Sequence, residues 1–246
     1  MNEPLGNPAP WPAPGKLNLF LHVVGRRADG YHLLQSVFQL IDWCDRLHFE
    51  LRHDGWLARH DLGPALPAYD LCLRAARALQ AQSGTALGAD ISIDKQLPWG
   101  AGLGGGSSDA ASTLLALNRL WGLHWPRERL LALGVTLGAD VPFFIGGHNA
   151  FVEGIGEQLT PLALPPQHFA VVKPAAAIAT ADIFGSPALV RNTKPVILTG
   201  SFASAGFGDG FGRNDLQPVA EVHCLDVRAV AEWLQGRFGN SRMTGS

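Results

Sequence analysis

The stretch Pro98-Trp99-Gly100-Ala101-Gly102-Leu103-Gly104-Gly105-Gly106-Ser107-Ser108 runs directly into Asp109-Ala110-Ala111-Ser112-Thr113-Leu114-Leu115-Ala116-Leu117, a strong helix former. Five glycines occupy the seven positions from Gly100 to Gly106. Glycine permits positive φ and lets a ligand approach the backbone with no Cβ in the way. The first N–H groups of the following helix, and its dipole, attract an anion. The segment therefore reads as a phosphate cradle. Ser107 and Ser108 either add hydroxyl donors to phosphate oxygens or cap the helix. A flexible linker fits less well, because a strand and a helix flank the glycines.

Several phosphate loops are excluded. No lysine follows the glycines where a Walker A motif requires one. Gly100, Gly102 and Gly105 spell GxGxxG, but Lys95-Gln96-Leu97-Pro98-Trp99 separates the preceding strand from the glycines, and no early βαβ unit is read before them. A protein-kinase glycine loop would lead into a strand rather than a helix.

Outward from this segment, Ala89 to Lys95 reads as the preceding strand and Asp70 to Gln82 as a helix. Helices are predicted over Ser107 to Trp121 and Pro126 to Leu137, the latter opened by its proline and closed near Gly138. The N-terminal third reads as mostly β, with separate strands at Leu17–Val24, Val37–Ile41 and Leu47–Leu51. In the second half, Phe169–Lys173 is expected to be a strand, Val227–Leu234 a helix and Ser201–Gly212 a loop. Pro161, Pro165 and Pro166 suggest a boundary, dividing the chain into 1–155 and 156–246.

The 246 residues, 47% of them hydrophobic, suffice for a sizeable core. Nineteen basic and 21 acidic residues are spread without blocks, for a net charge of −2, so no phosphate-neutralising stripe for nucleic acid is present. The expected partner is a small molecule. Cys44, Cys72 and Cys224 have no CxxC spacing and read as reduced thiols. The start lacks a signal-peptide pattern and no stretch reaches the length of a membrane span, so the expectation is a cytoplasmic protein with no membrane association.

Ala13-Pro14-Gly15-Lys16-Leu17-Asn18-Leu19-Phe20-Leu21, Arg27-Ala28-Asp29-Gly30-Tyr31-His32, Leu103-Gly104-Gly105-Gly106-Ser107-Ser108-Asp109 and Leu137-Gly138-Ala139-Asp140-Val141-Pro142 together resemble the GHMP kinases. Within them, they resemble the branch that phosphorylates a cytidine-diphosphate sugar alcohol in isoprenoid-precursor synthesis. The likeness continues through Phe151–Glu157 and Arg191-Asn192-Thr193. It implies an α+β, two-domain GHMP kinase fold: a ribosomal-protein-S5-like ATP-binding domain over 1–155 and a ferredoxin-like substrate domain over 156–246. It implies ATP and magnesium (Mg2+) as cofactors and a monomer or weak homodimer. Other GHMP activities, on homoserine or a mevalonate, and a nucleotide-binding protein without catalysis are the alternatives.

The resemblance also distributes roles. The ATP set is Lys95, Pro98, Trp99, Gly100, Ala101, Gly102, Leu103, Gly104, Gly105, Gly106, Ser107 and Ser108. Lys16 stands beside the acceptor hydroxyl and γ-phosphate. Asp140 is the catalytic base, held ionised by pairing with Lys16; by itself its place before Val141-Pro142 reads as a helix cap. Asp109 either offers an oxygen to magnesium or complements the helix dipole. Tyr31 and Phe184 sandwich a cytosine, with Asn18 and His32 as polar contacts. Gly15 stands where the family carries Ala, and Asp70 where an Asn contacts the adenine side. Met243-Thr244-Gly245-Ser246 resembles the opening of the family's third glycine-rich motif, after which a further strand and helix are expected.

Overall fold

His32–Arg52 forms one uninterrupted strand, β2, where the sequence suggests two. The polar run around Asp42 and Asp45 reads as a break, but buried Asp45 is satisfied from outside the strand: its Oδ1 accepts the N–H groups of Gln96 (2.6 Å) and Leu97 (2.8 Å). A carboxylate so satisfied is tolerated in a buried ladder. The computed structural model describes residues 9–67, 70–176, 178–197 and 211–245. It is a mixed α/β protein, as expected.

Strand β1 (Trp11–Arg26) pairs with β2 and begins inside the proline-rich lead. Prolines at every second position withdraw N–H donors from only one edge of a strand, so the other edge still pairs. The chain gathers into two compact units. The first comprises residues up to Gly15, Ile41–Leu97 and Gly104–Gly147; the second comprises Lys16–Leu40, Pro98–Leu103 and the chain from His148 onward. Each unit draws on several stretches because β1 and β2 run through both.

In the first unit, β4 (Gly88–Asp94) pairs antiparallel with the Arg46–Arg52 half of β2 and parallel with β3 (Leu57–Asp61). Helix α1 (Leu71–Ser83) is the crossover between β3 and β4, so a βαβ unit does precede the glycines. The sequence pattern does not reveal β3, because only Leu57 and Ala58 are apolar in it and its strand ladder is with β4 alone. Exclusion of a dinucleotide fingerprint still holds on spacing: β4 ends at Asp94 and α2 (Gly105–Leu120) starts eleven positions later. Ile91 and Ile93 alternate inward and bury with Leu79 of α1 and Leu114 and Leu117 of α2. Helix α3 (Arg127–Leu137), with Pro126 as its N-cap residue, packs on α4 (Val141–Gly146).

In the second unit, β5 (Ala150–Glu153) pairs with Ser36–Phe38 of β2 and with β6 (Gln158–Pro161). Leu21, Val23, Ile183, Leu189, Leu216, Val219 and Ala220 form one core; Phe20, Val37 and Phe151 form another. Helices α5 (Thr180–Gly185), α6 (Gln217–His223) and α7 (Leu225–Phe238) complete it. The expected strand at Phe169–Lys173 does not form: Phe169 and Val172 are exposed, and the run joins no ladder among the described residues. Most of the loop expected at Ser201–Gly212 lies outside the described residues.

Candidate active site

The glycine segment divides between the two units after Leu103. In the first unit, α2 begins at Gly105, two residues earlier than the sequence suggests. Its N-cap residue is Gly104, at φ 70°, and no side chain caps it. The first intrahelical bond is Ser108 N–H to Gly104 O at 2.9 Å. The amides of Gly105, Gly106 and Ser107 therefore have no acceptor within the helix, which is the local condition for anion binding. Ser107 and Ser108 are helical residues, not caps. A methyl placed on Gly138 would lie 3.8 Å from Ser107 Oγ, so the turn leading to Asp140 borders the start of α2. Asp140 is the N-cap residue of α4 but makes no side-chain cap hydrogen bond. Its carboxylate is not spent on capping.

Asp109 lies beyond the first turn of α2 and is buried, so its dipole role does not survive. Its Oδ2 accepts from Lys95 Nζ at 2.6 Å, and Lys95 Nζ also donates to Asp45 Oδ2. Two buried carboxylates thus share one ammonium. Burial pushes the Asp109 carboxyl up to about 7; Lys95 pulls it down and Asp45 pushes it up again. Burial lowers the affinity of Lys95 for its proton, but the two carboxylates outweigh this and hold it above its ordinary value. Lys95 is therefore engaged as an internal counter-ion rather than reaching outward. Asp109 Oδ1 and Ser108 Oγ are buried with no hydrogen-bond partner among the described residues.

In the second unit, Lys16 N–H bonds Leu103 O at 2.9 Å, tying β1 to the glycine segment. Buried Lys16 donates through Nζ to Asn18 Oδ1 at 2.6 Å and lies 4.5 Å from the Phe38 ring centroid. Asn18 Nδ2 donates to Ser36 Oγ (2.9 Å), and Asn18 N–H to Thr244 Oγ1 (2.8 Å). Gly245 N–H donates to Asn18 Oδ1 at 3.1 Å. Gly100 and Gly102 have φ 64° and 70°. A Cβ on Gly102 would lie 2.5 Å from Thr244 O, so glycine is needed there for close approach of the chain. Pro98 and Ala101 are partly buried, whereas Trp99 is 58% exposed.

Tyr31 and Phe184, the expected cytosine pair, stand in different surroundings. Tyr31 is 61% exposed, on a turn where Arg27 N–H bonds Tyr31 O at 2.8 Å. His32 is the ring stacked on Phe184, with centroids 4.9 Å apart and planes 28° apart. Burial lowers the His32 pKa first, and the charges of Arg191 and Arg26 lower it further. Sequence reasoning assigns no role to Ser36, Asp45, Arg191 or Thr244. Only Arg191 and Thr244 fall in stretches marked by the resemblance.

The GHMP kinases N terminal domain family matches residues 70–148, spanning α1 to the end of α4. A 4-diphosphocytidyl-2-C-methyl-D-erythritol kinase from Methylibium petroleiphilum is 68% identical over 235 residues, covering 96% of this chain and 81% of that protein. The chain belongs to the 4-diphosphocytidyl-2-C-methyl-D-erythritol kinase family. Its relative from Polaromonas naphthalenivorans is 59% identical, covering 96% of this chain and 82% of that protein. A crystal structure of 4-(cytidine 5'-diphospho)-2C-methyl-D-erythritol kinase superimposes with a TM-score of 0.79 at 35% identity, over 95% of this chain and 85% of that one. The fold is that of the GHMP kinases.

Gly15 and Asp70, the two positions expected to depart from the family pattern, have clear local surroundings. At Gly15, a methyl would meet Leu97 Cδ2 at 3.1 Å and Ile41 Cδ1 at 3.2 Å, so neighbouring side chains already fill that space. Asp70 caps α1, accepting from Cys72 N (2.6 Å) and Leu73 N (3.1 Å), and pairs with Arg59. The carboxylate thus has structural partners that only an acid provides for Arg59.

Proposed function

We propose that this chain transfers the γ-phosphoryl group of ATP to the 2-hydroxyl of 4-(cytidine 5'-diphospho)-2-C-methyl-D-erythritol, in the methylerythritol phosphate route to isoprenoid precursors. The observation that carries the phosphate-binding part is the uncapped first turn of α2, entered from a glycine in the left-handed region. The acceptor follows from family membership.

Phosphoryl transfer depends on positioning and charge neutralisation. In this reading, the amides and hydroxyls from Gly100 to Ser108 hold the ATP phosphates. Lys16, oriented by Asn18, stabilises charge developing on the transferred group. Asp140 accepts the acceptor's hydroxyl proton as the new P–O bond forms and ADP leaves. Tyr31, His32 and Phe184 contact the cytosine far from the reacting atom. The protein is read as a cytoplasmic monomer or weak homodimer.

Magnesium fits the residues present, because Ser108 Oγ and Asp109 Oδ1 are oxygen donors with no other partner among the described residues. No cluster of three or more His, Cys, Asp or Glu that could hold a metal occurs among the described residues, so the nucleotide itself would supply further oxygens. Bound there, the ion would neutralise phosphate charge.

ADP release measured against a panel of cytidylyl sugar alcohol, homoserine and mevalonate tests the assignment. Lys16→Ala and Asp140→Ala are each expected to lower turnover by roughly 10²-fold or more while leaving ATP-analogue affinity little changed. Near-normal turnover of Asp140→Ala removes it as the base, and turnover only on another acceptor removes the substrate.

A further inference from the structure

Arg191 follows α5, and all three of its nitrogens donate. Nε bonds His32 Nε2 at 3.0 Å and Nη1 bonds Leu189 O at 2.9 Å. Nη2 bonds Phe184 O at 2.9 Å and Ser186 O at 2.7 Å. These four acceptors come from two places in the chain, the start of β2 and the end of α5 with its following turn. None is a carboxylate, and no ion pair involves Arg191 among the described residues. The guanidinium therefore acts by the geometry of its fork, which a lysine cannot reproduce.

The same bonds define the state of His32. A ring nitrogen accepts from arginine only through a free lone pair, so the hydrogen-bond network assigns the proton to Nδ1. The Phe184 side chain is packed against the core of Leu21, Val23, Ile183 and Leu189. The stacked rings are thus held from two sides, Phe184 by packing and His32 by Arg191.

We propose that Arg191 is the positioning residue of the nucleobase platform: its fork ties the His32 imidazole to the end of α5 and so sets the spacing and tilt of the His32 and Phe184 rings before the acceptor arrives. The proposal rests on the reading of His32 and Phe184 as acceptor contacts. Pre-ordering these rings removes an entropic cost from acceptor binding, not from ATP binding or the chemical step.

The test compares Arg191→Gln, Arg191→Lys and Phe184→Ala, with kcat and KM for both substrates and NMR titration of the His32 ring. Arg191→Gln and Arg191→Lys are expected to raise the acceptor KM about ten-fold, within what stacking on a base is worth, with kcat and the ATP KM nearly unchanged. In Arg191→Gln the His32 midpoint moves up, because a cation that lowers it is gone. In Arg191→Lys it stays nearer the wild-type value while the KM effect remains, which separates fork geometry from charge. If either Arg191 variant keeps the wild-type acceptor KM while Phe184→Ala loses it, the positioning role is wrong and the platform stands. If Phe184→Ala is indifferent as well, the platform reading falls and takes the proposal with it. A matching rise in the ATP KM marks general loss of structure and also overturns it.

Discussion

Replacing Asp109 with Asn isolates the electrostatics beneath the phosphate loop. The Asp109 carboxyl has an ordinary value of 3.8 and is pushed up to about 7 in the folded chain, burial being the main cause. Between these values the folded state holds a proton that the unfolded chain has released. Stability contributed by this group is therefore greatest at low pH and is lost as pH rises through about 7. Over pH 5 to 7 the loss is about 2 kcal/mol, since one proton held only by the folded state is worth about 1.4 kcal/mol for each tenfold fall in proton concentration. The Asn variant has no such titration. Its stability relative to wild type is expected to rise by about 2 kcal/mol across that range, or about 4–8 °C in relative melting temperature for a chain of this size. At pH 5 the wild type has already lost part of this stability, because its unfolded chain is mostly ionised there; the variant's stability relative to wild type is therefore lowest below about pH 4 and levels off above about pH 7. Urea and thermal unfolding at pH 5, 6, 7 and 8, without nucleotide or magnesium, provide the measurement. The difference between the two proteins is the quantity to read, because other groups titrate in both. Parallel curves across this range would refute the buried, shared-ammonium account of Asp109.

Lys95→Met leaves Asp45 and Asp109 without their cation and should cost about 3–5 kcal/mol at pH 8, less at pH 5 where Asp109 takes up a proton; a urea-derived loss under about 1 kcal/mol at pH 8 contradicts the ion-pair role. Gly102→Ala puts a methyl 2.5 Å from Thr244 O at φ 70°, so a loss of at least about 2 kcal/mol in thermal unfolding is expected. Gly84→Ala, at φ 69° with open space around it, should cost only about 1 kcal/mol, and equal losses at the two sites would show that the Thr244 contact is absent.

The sequence by itself determines what depends on neighbours along the chain. Alternation identifies β4, helical periodicity identifies α1 and α3, and five glycines before an alanine-rich helix identify the phosphate loop. Motif order brings Lys16, Asn18, Ser108 and Asp140 into view as site residues. The start of α2 is missed because Ser107 and Ser108 are strong caps on propensity, whereas Gly104 in the left-handed region turns the chain sooner. Other features depend on partners distant in sequence. Asp45 lets β2 run unbroken only because Gln96 and Leu97 donate to it. Lys95 becomes a counter-ion only because Asp45 and Asp109 converge on it, and His32 stacks on Phe184 where Arg191, following α5, donates to its ring nitrogen. Periodicity and turn chemistry report where a side chain can point. Which buried donor meets which acceptor is decided by tertiary packing, because desolvated polar groups must find partners wherever the fold brings them.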